Sequence, residues 1–65
     1  VAFIVIVTGL GGGEFYLDKS SVEVSQKERA RRFRSDRAAM DAAAEHLQMF
    51  APVVQRAMAY RVESL

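Results

Sequence analysis

The run Val1–Thr8 (VAFIVIVT) is apolar on two faces at once, and this constrains the fold more than anything else in the chain. Its β-branched residues favour extended backbone, and Gly9 bounds it. In a strand, Phe3, Val5 and Val7 point one way while Ile4, Ile6 and Thr8 point the other. A strand apolar on both sides belongs inside a sheet, with cover on each face. The run is far short of the roughly 20 residues that span a bilayer, and no basic segment precedes it as in a signal peptide. No membrane contact is expected. The chain starts at Val1 and not at Met, which leaves a trimmed start open.

That cover must come from a chain of 65 residues. A chain of this size buries only about 60% of its unfolded surface, and small domains often add disulfides, a metal or a partner. There is no cysteine, which removes disulfides and cysteine-based zinc sites and fits a cytoplasmic, reducing location. His46 is the single histidine and has no set of carboxylates at metal-ligand spacing, so neither metal nor cofactor is expected. Good packing or self-association is left as the supplement. With 51% hydrophobic and 26% charged residues, the composition is that of a folded protein, and residues 1–65 read as one domain.

Gly9–Gly13 (GLGGG) reverses the chain, because glycine supplies the positive φ of a tight turn. Glu14–Lys19 then alternates, with Phe15 and Leu17 on one side, completing an antiparallel hairpin. Ser20-Ser21 is a turn, and Val22–Val24 can add a short third strand. Ser25 and Glu28 have the spacing of a capping box and predict one helical turn through Arg29, with Ala30 and Phe33 on one face of it. Extended chain follows, with Phe33 turned inward.

Ser35 is a good helix N-cap and Asp36 complements the dipole, so the main helix is predicted over 35–51. Its apolar stripe is Ala39, Met40, Ala43, Ala44, Leu47 and Phe50. Pro52 stops it at Ala51. The stretch 53–63 fits both periods, but its β-branched and aromatic residues favour a final strand near Met58–Glu63. The expected fold class is therefore α+β: a two-layer ββ(β)αβ domain, an antiparallel sheet with one main helix packed on it. The expected core is Phe3, Val5, Val7, Phe15, Leu17, Phe33, Met40, Ala43, Leu47, Phe50 and Tyr60.

Charge is unevenly spread although the net charge is only +1. Residues 27–37 hold six basic side chains against two acids, and the remainder holds three against six. Arg29, Arg31, Arg32, Arg34 and Arg37 could neutralise phosphates, with an exposed Phe33 stacking on a base. The alternative is a solvated edge with Phe33 buried and the arginines paired to acids.

The remaining polar residues have structural explanations. The glycine run is followed by a strand and lacks the Lys-Ser/Thr of a phosphate-binding loop. His46 has no acid three or four residues before it and reads as a surface histidine. Met40, Met49 and Met58 fill a core or line an adaptable surface. The serines serve turns and caps. No enzyme class is indicated.

The order of segments resembles small proteins of unknown function, many of them encoded by phages or prophages. The resemblance rests on the apolar strand, the glycine turn, Phe15-Tyr16-Leu17, and an A-x-x-F motif before a serine and an alanine-rich helix. That last part runs Ala30-Arg31-Arg32-Phe33-Arg34-Ser35 into Ala38-Ala39. The aromatic usual between the second strand and A-x-x-F is absent, and Val22 or Val24 would replace it. The resemblance implies binding to a host or phage protein and carries no site residues.

Two functions follow as expectations. The first is a non-enzymatic binding module, a homodimer or partner of another protein, with Ile4 and Ile6 as the interface because one helix cannot cover both faces of the first strand. The second is nucleic-acid binding through Arg29, Arg31, Arg32, Arg34 and Arg37.

Overall fold

The computed structural model describes residues 1–9 and 11–65; the part of the predicted glycine turn at Leu10 lies outside the described residues. Among the described residues, four strands form one antiparallel sheet: β1 (Phe3–Thr8), β2 (Glu14–Leu17), β3 (Glu23–Val24) and β4 (Ala59–Ser64). A 3₁₀ turn spans Lys27–Arg29, and two helices follow, α1 (Asp36–Gln48) and α2 (Pro52–Gln55). The sheet order is β3-β2-β1-β4, so β1 is interior, as its two apolar faces require. The α+β class, with an antiparallel sheet and one main helix packed on it, is the one the sequence predicts.

β1 pairs with β2 through Ile6 opposite Tyr16 and Val7 opposite Phe15, and with β4 through Val5 opposite Val62 and Val7 opposite Tyr60. Beyond Leu17, β2 turns away and Phe33 takes over its place beside β1. Phe3 and Phe33 exchange backbone hydrogen bonds of 2.9 and 2.8 Å. The turn after β2 is held by Asp18, whose Oδ1 accepts from Ser20 N–H at 2.8 Å and Val22 N–H at 3.0 Å. These bonds favour the carboxylate and lower the Asp18 pKa, with a smaller contribution from the Arg29 charge.

On one face of the sheet, Val5, Val7 and Leu17 pack with Phe33 and with Ala39 and Ala43 of α1. Ser35 caps α1 as expected, its Oγ accepting from Ala38 N–H at 3.1 Å. The inward line of α1 is Ala39, Ala43 and His46, at i, i+4 and i+7. This corrects the expected core. Small alanines sit against the sheet, and Met40 is rotated off the line and 59% exposed. Phe15 is also exposed; it lies at the loop end of the hairpin with its ring over Gly13, outside the cluster.

On the opposite face, Ile4 and Ile6 pack with Ala30 and Tyr16. The segment from Lys27 to Arg31 crosses this face. Arg31 N–H donates to Leu17 O at 2.8 Å at one end, and Lys27 Nζ donates to Glu63 at 3.1 Å at the other. Ala30 and Phe33 therefore serve opposite faces of the sheet and do not share one face of a helical turn. Ser25 does not cap that turn; its N-cap is Gln26, with no side-chain bond.

Two boundaries also differ. α1 ends at Gln48 and not Ala51, and Pro52 opens α2, since a missing N–H is no loss in a first helical turn. The final strand lies at Ala59–Ser64, within a residue of the expected range.

Candidate functional site

The interface expected at Ile4 and Ile6 depended on an uncovered apolar face, and that face does not exist. Ile4 is 1% and Ile6 2% exposed, because the 3₁₀ segment, which reads as a polar arginine-rich stretch, supplies the missing cover with Ala30. Burying two isoleucines this way contributes about 1.5–3 kcal/mol each.

Arg29, Arg31, Arg32, Arg34 and Arg37 are all exposed, and none forms an ion pair among the described residues. Phe33 is buried, so it presents no ring for a base. Instead the Arg31 guanidinium lies 4.6 Å from the Phe33 ring centroid, in cation–π range. The structure thus joins parts of the two alternatives: buried phenylalanine, but unpaired arginines.

The exposed edge of β4 is the feature that sequence reasoning missed. Phe3 spends its backbone groups on Phe33, so the alternate residues of β1 face β4; Leu65 N–H donating to Ala2 O at 2.7 Å sets the same parity. Arg61 and Glu63 therefore aim their backbone groups at β1. The N–H and C=O groups of Tyr60, Val62 and Ser64 face away from the sheet, with no bond to another segment among the described residues. The opposite edge, β3, is only two residues long.

Beside the β4 edge lies an apolar groove of about 300 Å³, lined by Met40, Ala43, Ala44 and Leu47 of α1 and by Tyr60 and Val62 of β4. None of the five arginines lines it. On the other face of β4, Arg61 Nη1 donates to Glu14 at 3.0 Å and Arg61 Nη2 lies 3.8 Å from Glu63.

His46 corrects another expectation, since it is 4% exposed and not a surface residue. Its Nδ1 lies 2.5 Å from the Tyr60 hydroxyl, and its Nε2 lies 3.5 Å from Glu23 of β3. A proton on Nε2 lets the tyrosine donate to Nδ1 while the imidazole faces the carboxylate. Phe50 and Tyr60 pack edge-on to the ring, with centroids 5.1 and 5.7 Å away. Burial raises the Tyr60 pKa above its ordinary value, and the nearby Glu23 charge raises it further. The partners come from distant strands, so helical spacing holds no signal of them. The network ties β3 and β4 to α1. Among the described residues, no group of three His, Asp or Glu side chains is placed to hold a metal, and no helix is long and apolar enough to cross a membrane.

Comparison with protein families, with curated proteins and with solved structures finds no match to this chain.

Proposed function

We propose that this protein is a small non-enzymatic binding module that takes up an extended strand of another protein chain along β4. The observation that carries this is the open edge of β4 lying directly beside an apolar groove. Strand addition uses unpaired backbone groups for affinity and pockets for alternate side chains for specificity. Tyr60, Val62 and Ser64 supply the first, and the groove between α1 and β4 supplies the second. The edge is six residues long and is not interrupted by proline or lysine, and its two charged side chains, Arg61 and Glu63, are of opposite sign.

Selection of extended peptides from a displayed random library against the immobilised protein tests this. Selected peptides are expected to slow hydrogen exchange at Tyr60, Val62 and Ser64, and to lose binding to the Ser64→Pro variant. That substitution removes an outward donor and leaves the β1–β4 ladder intact. Binders indifferent to Ser64→Pro, or no binders to protein held at a concentration where it is monomeric, would defeat the reading.

A second reading, nucleic-acid binding, is favoured by the five exposed arginines without ion-pair partners. It predicts DNA or RNA binding that weakens steeply with salt and drops on Arg31→Ala or Arg34→Ala. With Phe33 buried, the binding draws on phosphate contacts alone. No binding to either polymer at low salt would remove it.

A further inference from the structure

We infer that the strand taken up by β4 is the β4 of a second copy of this chain, running antiparallel about a two-fold axis through Val62. This rests on the strand-accepting reading and names its partner. Backbone parity limits the register, because outward-facing residues must meet outward-facing residues. Two symmetric registers then lie closest to full overlap, one centred on Val62 and one on Arg61. The Arg61-centred register sets two guanidinium groups directly opposite each other, which is destabilising.

The Val62-centred register does the reverse. Val62 faces the partner's Val62, Tyr60 faces the partner's Ser64, and Arg61 faces the partner's Glu63 in a pair that occurs twice by symmetry. All the outward backbone groups of Tyr60, Val62 and Ser64 find partners in it. Charged side chains on an edge strand ordinarily discourage pairing. Here their opposite signs, two residues apart about Val62, make the edge self-complementary.

The packing agrees with the charges. A two-fold axis normal to the sheet puts both copies of α1 on the same side, flanking the new junction. Each exposed Met40 and each Leu47 then lies along a continuous apolar seam with Val62 at its centre. Direct opposition in an antiparallel pair also places Arg61 and the partner's Glu63 on the far side, away from this seam.

Light scattering across a concentration series up to about 1 mM, with charge-swapped variants, tests the inference. The wild-type protein is expected to approach twice the 7.2 kDa chain mass. Arg61→Glu alone and Glu63→Arg alone should each weaken self-association by at least about tenfold, since each sets like charges opposite in two places. An equimolar mixture of these two variants should form a heterodimer, detected by native mass spectrometry, because opposite charges then meet at both positions. The double variant Arg61→Glu/Glu63→Arg should recover the homodimer. Ser64→Pro should give a monomer whose circular dichroism is that of the wild type.

A wild-type monomer throughout the series would overturn the second-copy inference, while β4-dependent peptide binders would still uphold strand uptake. A dimer indifferent to Ser64→Pro and to the charge swaps would place self-association elsewhere and overturn this register. Absence of both a dimer and such binders would remove the inference and the reading together.

Discussion

The two faces of β1 carry apolar residues of similar size and are buried to similar depth, yet they are covered in unlike ways. One face meets α1, a 13-residue helix whose Ala39 and Ala43 allow close approach, together with the ring of Phe33. The other meets a three-residue 3₁₀ turn followed by Ala30. A helix brings its own backbone hydrogen bonds to the surface it covers. The shorter cover is instead pinned from outside, by Arg31 N–H on Leu17 O and by Lys27 on Glu63. A small domain can thus bury both sides of a central strand with one helix, provided a short segment is anchored across the other side.

The largest effect should come from Phe33, whose backbone joins β1 and whose ring belongs to the helix-side cluster. Phe33→Ala should cost about 3–5 kcal/mol. A domain of this length holds only about 3–10 kcal/mol of stability, so urea denaturation should show much of it gone. A loss under 1 kcal/mol would mean that the helix alone maintains that face.

Tyr60 gives the next largest effect. Tyr60→Phe leaves the buried His46 Nδ1 without its hydrogen-bond partner and should cost about 1–3 kcal/mol. The pH dependence has a definite sign. Tyr60 is held neutral by burial, so its contribution is full below the ordinary tyrosine value of about 10 and is lost as pH rises through the higher folded value. Urea midpoints of the wild type should therefore fall as pH rises above about 10, and those of Tyr60→Phe should fall less. Equal falls would deny Tyr60 that role.

The smallest effect sharpens the contrast between the two covers. The Lys27–Glu63 pair is solvent-exposed on both sides, so Lys27→Ala should cost at most about 1 kcal/mol. Its local consequence should exceed its global one, with hydrogen exchange at Arg31 quickening while α1 stays protected. Uniform quickening would show that the two covers open together.

Several features were legible because they depend on neighbours in sequence. Ser35 caps a helix with its own backbone, and the β-branched run of β1 carries its preference residue by residue. The final strand was readable in the same way, despite the alanines that also suit a helix. Periodicity puts Met40 and Phe15 on the core side because it gives a face but not the angle at which a helix meets a sheet, nor how far along a hairpin the helix extends. His46 escaped because its partners lie on β3 and β4. The arginine segment was readable as basic, but its charges hid the one small residue, Ala30, that closes the second face.

The sequence by itself determined that the first strand is interior and must be covered twice, since apolar side chains alternate to both sides of any strand whatever its neighbours. Only the tertiary structure decided what the second cover is, and that is why Ile4 and Ile6 are core and not interface. It also decided that β4 is the edge. Edge status belongs to strand order, which depends on long-range pairing that no local pattern encodes. The open surface therefore lies one strand away from the residues whose apolarity first suggested it.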